Sequence, residues 1–273
     1  MSFTPIVPMS GYGGWAFLQR TMDQQKEAFD SSSTMQREEA YFRENIGNVR
    51  TAEDLVSDRR LLKVALGAFG LDGDINNTFF VRKVLEEGTT EKAALANRLS
   101  DKTYLALSEA FGFDNAKGPK TTEAGFADKI LSRYSDQQFE TAVGEQDSDM
   151  RLAMNAQREL TELAKKDSSD LTKWYTVLGS EPLRQVMQTA FNLPTAFASI
   201  DLDQQVRQIQ NKFEGLMGTE SLSTLSDPKQ MDKLLKRFLT MSQIAGSANT
   251  ATSPALQILQ AGGSANNIFS ILR

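Results

Sequence analysis

Apolar residues recur along this chain at helical spacing, and no stretch sustains period-two alternation between turn signals. Trp15, Leu18, Met22 and Phe29 form one stripe with Gln, Asp, Lys and Glu between them. This predicts an amphipathic helix from Trp15 to Phe29, interrupted by the polar run Ser31 to Thr34. A second stripe through Met35, Tyr41, Phe42 and Ile46 predicts a helix closing near Gly47, where a left-handed residue would end it. The expected fold class is all-α: an irregular multi-helix bundle of roughly nine to eleven helices, built from related helix pairs, with flexible termini.

The pairs are expected because one phrase recurs. Ser57-Asp58 precedes RRLLKVALGAF, Ser100-Asp101 precedes KTYLALSEAF, Ser180-Glu181 precedes PLRQVMQTAF and Ser226-Asp227 precedes PKQMDKLLKRF. A degenerate copy, Ser148-Asp149 before MRLAMNAQREL, fills the gap between them. Serine at an N-cap satisfies an orphan N–H, and the acid after it suits the positive end of the helix dipole. Gly70, Gly112 and Asn192 follow the terminal phenylalanines, where positive φ is wanted. Cap chemistry alone would produce the openings, whereas duplication of a helical unit explains the shared A-F-[GN]-[LF] endings better. The expected core includes Leu61, Leu62, Leu66, Phe69, Leu105, Phe111, Val186, Phe191, Leu234 and Phe238.

Three segments are expected. Residues 1–14 hold two prolines and three glycines and read as a flexible or docked arm. Residues 15–245 form the helical domain, with two similar halves at about 15–134 and 135–245. Residues 246–273 are small and polar around two apolar clusters and read as a weakly ordered tail.

Composition removes several chemistries. The chain has no cysteine and no histidine among its 273 residues, which excludes disulfides, Cys/His metal sites, thiolate nucleophiles and a Ser-His-Asp mechanism. Cysteine can be missing by chance in a cytosolic protein, or through selection in one exported without oxidative folding. Lys and Arg total 30 against 35 acids, with signs interspersed, so no basic face for nucleic acid is expected. No apolar run reaches membrane-spanning length, so neither a membrane span nor Sec export is expected.

Short motifs add little. Asp72, Asp74 and Asn76 occupy the first, third and fifth positions of a calcium loop, but Asn77 replaces its glycine and Lys83 its bidentate acid, so a helix-connecting turn is expected. GYGG at Gly11–Gly14 follows no strand and lacks the pattern of a phosphate loop. Glu38-Glu39 and Glu86-Glu87 read as solvated helix faces, and Trp174-Tyr175 as a core anchor. No cofactor or metal site and no catalytic residue is expected. The rival is an enzyme built only from carboxylates, Lys and Arg.

The stretch AYFRENIGNVRTAEDLVSDRRLLKVALGAFGLDGDINNTFFVRKVLEEGT, Ala40 to Thr89, resembles bacterial domain-of-unknown-function family 1217, as does LANRLSDKTYLALSEAFGFD, which has Leu95 where the family favours an aromatic. The likeness is specific from about Trp15 to Asp114 and looser towards the C-terminus. Members of that family are often found among flagellar genes, so the resemblance implies a non-enzymatic structural or assembly protein of the bacterial flagellum, made in the cytoplasm and exported without a cleaved signal. The alternative is a cytosolic helical adaptor or chaperone-like binding module. Protein partners are expected, whether flagellar components or further copies of the chain. The residues expected to meet them are Trp15, Leu18, Met22 and Phe29 in the first helix and Ile268, Phe269 and Leu272 at the C-terminal end.

Overall fold

A computed structural model describes residues 3–250. Thirteen α-helices and five 3₁₀ segments make up the described residues, with no strand among them. The first seven helices are α1 (Gly11–Asp30), α2 (Ser33–Asn45), α3 (Ala52–Ser57), α4 (Arg59–Gly67), α5 (Thr78–Glu87), α6 (Leu95–Arg98) and α7 (Thr103–Phe111). They are followed by α8 (Phe126–Gly144), α9 (Ser148–Lys165), α10 (Asp170–Gly179), α11 (Glu181–Ala190), α12 (Leu202–Met217) and α13 (Pro228–Thr250). The count exceeds the expected nine to eleven because α3 and α6, of 6 and 4 residues, are too short to show a stripe.

Two hydrophobic cores meet at α8. Ile130, Leu131 and Tyr134 on its first half pack with Met35, Phe42, Leu55, Leu62, Leu66 and Phe111. Phe139 and Val143 on its second half pack with residues of α9 to α13, among them Trp174, Phe213, Leu234 and Phe238. The expected division near residue 134 therefore falls inside one continuous helix. Helix α1, expected with the first half, instead sends Trp15 and Leu18 into the second core. Phe29 touches both cores and meets Phe139 edge to face at 5.7 Å.

The recurring phrase folds as helix openings, but the acid caps them rather than the serine. Asp58 accepts from the Arg60 and Leu61 amides at 2.9 and 3.1 Å, Asp101 from Thr103 at 2.8 Å and Asp227 from Lys229 at 3.0 Å. In the degenerate copy the cap is Asp147, one residue before the pair. Ser180 holds the cap position of α11 without a side-chain bond. A carboxylate gains both the hydrogen bond and the dipole interaction, so it outcompetes an adjacent hydroxyl.

The endings follow the expected chemistry. Gly70 and Asn192 have φ of 71° and 50°, and the residues after them donate back to Leu66 and Gln188, closing two Schellman turns. Gly112 closes α7 with a single bond to Ser108. Gly47 does not act this way: the chain tightens into a 3₁₀ turn, Ile46–Asn48, with no positive φ at the glycine. Nine of the ten expected core residues are buried. Leu105 is only half-buried, because the inward face of α7 is set by Leu107, Ser108 and Phe111.

Candidate functional site: where the first and last described helices meet

The arm before α1 is docked along much of its length. The side-chain amide of Gln25, buried on α1, accepts from the Ile6 amide at 2.6 Å and donates to the Ile6 carbonyl at 3.2 Å, standing in for a backbone partner. Gln146 donates to the Pro5 carbonyl. Residues 5–9 thus run back along the helix they precede, and the backbone at Met9 presses on its first turn. A Cβ on Gly14 would stand 1.7 Å from the Met9 carbonyl oxygen. Gly11 has φ of 71°, and a Cβ there would collide with the Gln243 side chain at 2.1 Å. The Gly11–Gly14 string is therefore a packing device, and α1 starts four residues before the stripe does.

Gln243 belongs to α13, so the glycine string joins the first and last described helices. Gln243 donates to the Ser10 carbonyl at 3.3 Å, and Tyr12 donates its hydroxyl to the Asp232 carboxylate at 3.1 and 3.2 Å. Lys236 lies 4.9 Å from the Tyr12 ring centroid. Burial first, and then the bond to Asp232, push the Tyr12 hydroxyl above its usual pKa. Ser242 donates to Asp149, tying the same end of α13 to the start of α9.

The residues expected to meet a partner are distributed differently. Trp15 and Leu18 are buried in the second core at 2% and 0% exposure, and Met22 and Phe29 pack partly buried against it. Helix α1 thus buries Trp15 and Leu18 in its own chain and leaves Met22 and Phe29 partly open, packing on α13, α8, α9 and α2. Ile268, Phe269 and Leu272 lie outside the described residues. The apolar residues left open at the junction are Met9 and Ile244, 58% and 57% exposed.

Sequence reasoning missed three further features. Gln25 was legible as the one polar residue in step with the stripe Trp15, Leu18, Met22 and Phe29. Lys173 is buried and donates to the Ala164 carbonyl at 3.1 Å and the Ser223 hydroxyl at 2.8 Å, fastening the last turn of α9 to the 3₁₀ segment Leu222–Ser226. Beside it Trp174 is the expected core anchor, donating to the Glu220 carbonyl and meeting Phe213 at 5.1 Å. Between α8 and α9, buried Glu140 receives a two-pronged bond from Arg158 at 2.9 and 3.2 Å. Burial pushes the Glu140 carboxyl up, and the guanidinium opposes that shift.

The calcium-like stretch forms the 3₁₀ turn Asp72–Asn76 between α4 and α5. Its side chains separate: Asp72 accepts from Gln138, Asp74 from Tyr104 and Asn77, and Asn76 from Arg59. A cavity of about 250 Å³ beside it is lined by Arg59, Lys63, Leu66, Asp72 and Ile75. Lys63 pairs there with Glu38 at 3.6 Å, so its charge is already engaged.

A family model described as a protein of unknown function (DUF1217) matches residues 68–231. The match starts later and reaches further than the region where the sequence looked most characteristic; it takes in whole the copies ending at Phe111 and Phe191, but only the end of the one closing at Phe69 and the start of the one closing at Phe238. The crystal structure of an Agrobacterium tumefaciens protein is 28% identical with a TM-score of 0.72, over 89% of this chain and 99% of that one. No curated protein matches the sequence.

Proposed function

The chain belongs to the DUF1217 family, and from that membership we propose that it is a non-enzymatic structural or assembly protein of the bacterial flagellum that works through protein contacts. One observation supports the assembly part of the reading: α13 is fixed to the glycine string at the start of α1, so the first and last described helices meet at one place. A contact made there engages both helices at once. The flagellar part rests on the resemblance. The test is deletion of the gene followed by swimming assays and filament counts. Loss of swimming, restored by the wild-type gene, supports the reading, whereas normal swimming with normal filaments defeats it.

A second reading, a cytosolic adaptor or chaperone-like module, is favoured by one specific observation. The stripe of α1 packs on the chain's own body, as it would in a module whose ends need no neighbour for order. Loss of motility with the protein confined to the cytosol selects this reading over the first.

A further inference from the structure

We propose that the cavity between α4 and the Asp72–Asn76 turn binds a small dipolar molecule, an amine and a carboxylate joined by a short apolar stem, as in an ω-amino acid or lysine. This site lies outside the assembly role and stands whether or not the chain serves the flagellum. Two opposite charges line the one cavity, Arg59 and Asp72. Among the described residues neither forms an ion pair, with the other or with a third group. Arg59 spends both terminal nitrogens on the neutral Asn76 amide oxygen, each at 3.1 Å, and Asp72 accepts from the Gln138 amide at 3.0 Å. The remaining charge on the wall, Lys63, is taken by Glu38.

The spacing of the charges calls for a ligand with a stem. Asp72 stands against Gly67, where a Cβ would lie 3.1 Å from its Oδ1. Arg59 is two turns earlier on α4, about 12 Å along the helix axis. Both side chains line the cavity, so the gap between their charged ends is shorter than that span, and Leu66 and Ile75 supply the apolar wall. A carboxylate on the guanidinium and an ammonium on Asp72 each gain charge-assisted bonds, while the methylene groups lie on the apolar wall. A ligand with a single charge meets repulsion from the group of like sign. At about 250 Å³ the cavity falls just below the roughly 300–1,000 Å³ of drug-sized pockets, which limits the occupant to a small molecule or a chain end.

The walls are fixed before a ligand arrives. Asp58 caps α4 and accepts from the Tyr41 hydroxyl at 2.7 Å, and Asp74 in the turn accepts from Asn77 at 2.6 Å and from Tyr104. Binding therefore carries little ordering cost. The wider groove between α1 and α2, lined by Asp23, Lys26, Glu27, Asp30 and Glu39, does not offer the same pair. Its cation, Lys26, is taken by Asp136, and its other charges are all acidic, so a dipolar ligand would find no seat for its carboxylate there.

The test titrates the full chain with 6-aminohexanoate, hexanoate and hexylamine, reading each affinity by saturation-transfer NMR. 6-Aminohexanoate should saturate with a Kd of about 1 mM or tighter. Hexanoate and hexylamine, each lacking one charged end, should bind about tenfold more weakly or worse, the factor expected for one lost bond to a charged group. Arg59→Gln and Asp72→Asn alter exposed positions and should each weaken 6-aminohexanoate by about tenfold with an unchanged circular dichroism spectrum. Free lysine and the tripeptide Gly-Gly-Lys separate the two sources of this chemistry: preference for the first marks a free molecule, preference for the second a chain end, and either upholds the site. The probe comparison is made on the wild-type chain, so it decides even if a variant fails to fold. Hexanoate binding as tightly as 6-aminohexanoate overturns the proposal by reducing the cavity to an anion site. The absence of saturation, or an affinity unchanged in both variants, overturns it as well.

Discussion

Gly14→Ala probes the docked arm with opposing effects of known sign. The added Cβ would stand 1.7 Å from the Met9 carbonyl oxygen and 2.8 Å from its carbon. Both are backbone atoms, so no side-chain rotation relieves the clash and the arm must lift. Lifting it breaks the two bonds between Gln25 and Ile6, each contributing about 1 kcal/mol, and leaves the Gln25 Oε1 without a partner at a further cost of about 1 kcal/mol, while Nε2 keeps its bond to the Thr21 hydroxyl. Alanine over glycine in a helix returns no more than about 1 kcal/mol. The net expectation is a loss of about 1–2 kcal/mol. Gly215→Ala supplies the control, because a Cβ there meets nothing within 4 Å and that glycine has no positive φ. It should stabilise by about 0.5–1 kcal/mol. Urea unfolding followed by circular dichroism reads both variants, with unchanged m-values confirming that only stability has moved. A Gly14→Ala protein as stable as wild type, or more so, would refute the account of the glycine string.

Glu140→Gln tests the buried pair through pH. Because burial raises the Glu140 pKa, the fold favours its protonated form; the stabilisation is full below the unfolded pKa and lost as pH rises through the folded one. Wild type should therefore lose stability relative to the variant as pH rises from the ordinary carboxyl range through the raised folded-state pKa, and a flat or opposite difference refutes the assignment. Lys173→Met keeps the length of the side chain but removes its bonds to Ala164 and Ser223, and should cost about 1–3 kcal/mol in thermal unfolding. A neutral result would show that the lysine is not a fastener. Phe238→Ala empties a fully enclosed site in the second core and should cost about 3–5 kcal/mol, whereas a cost under about 1 kcal/mol would mean that the helix is misplaced.

Local chemistry was the legible part of this fold. The turns at Gly70 and Asn192 follow from a residue that tolerates positive φ placed after an apolar helix end, and both are used as expected. Asp58 and Asp227 cap where the pattern points equally to the serine beside each, since adjacent polar residues do not say which one faces the amides. What was illegible depends on contacts distant in sequence. The stripe of α1 was read correctly as apolar, yet only packing tells whether such a stripe meets a partner or residues more than a hundred positions away in the same chain. The glycine string was illegible for the same reason: its purpose is the approach of Met9 and Gln243, and spacing within the string records neither.

The central claim, a structural or assembly role in the flagellum, is tested most directly by locating the protein. Flagella sheared from swimming cells, and basal structures extracted from the same cells, would be probed with antibodies raised against the folded chain, with the deletion strain as blank. The account predicts that the protein co-purifies with one of these fractions. Its confinement to the cytosol, in a species whose deletion strain swims normally, would contradict it.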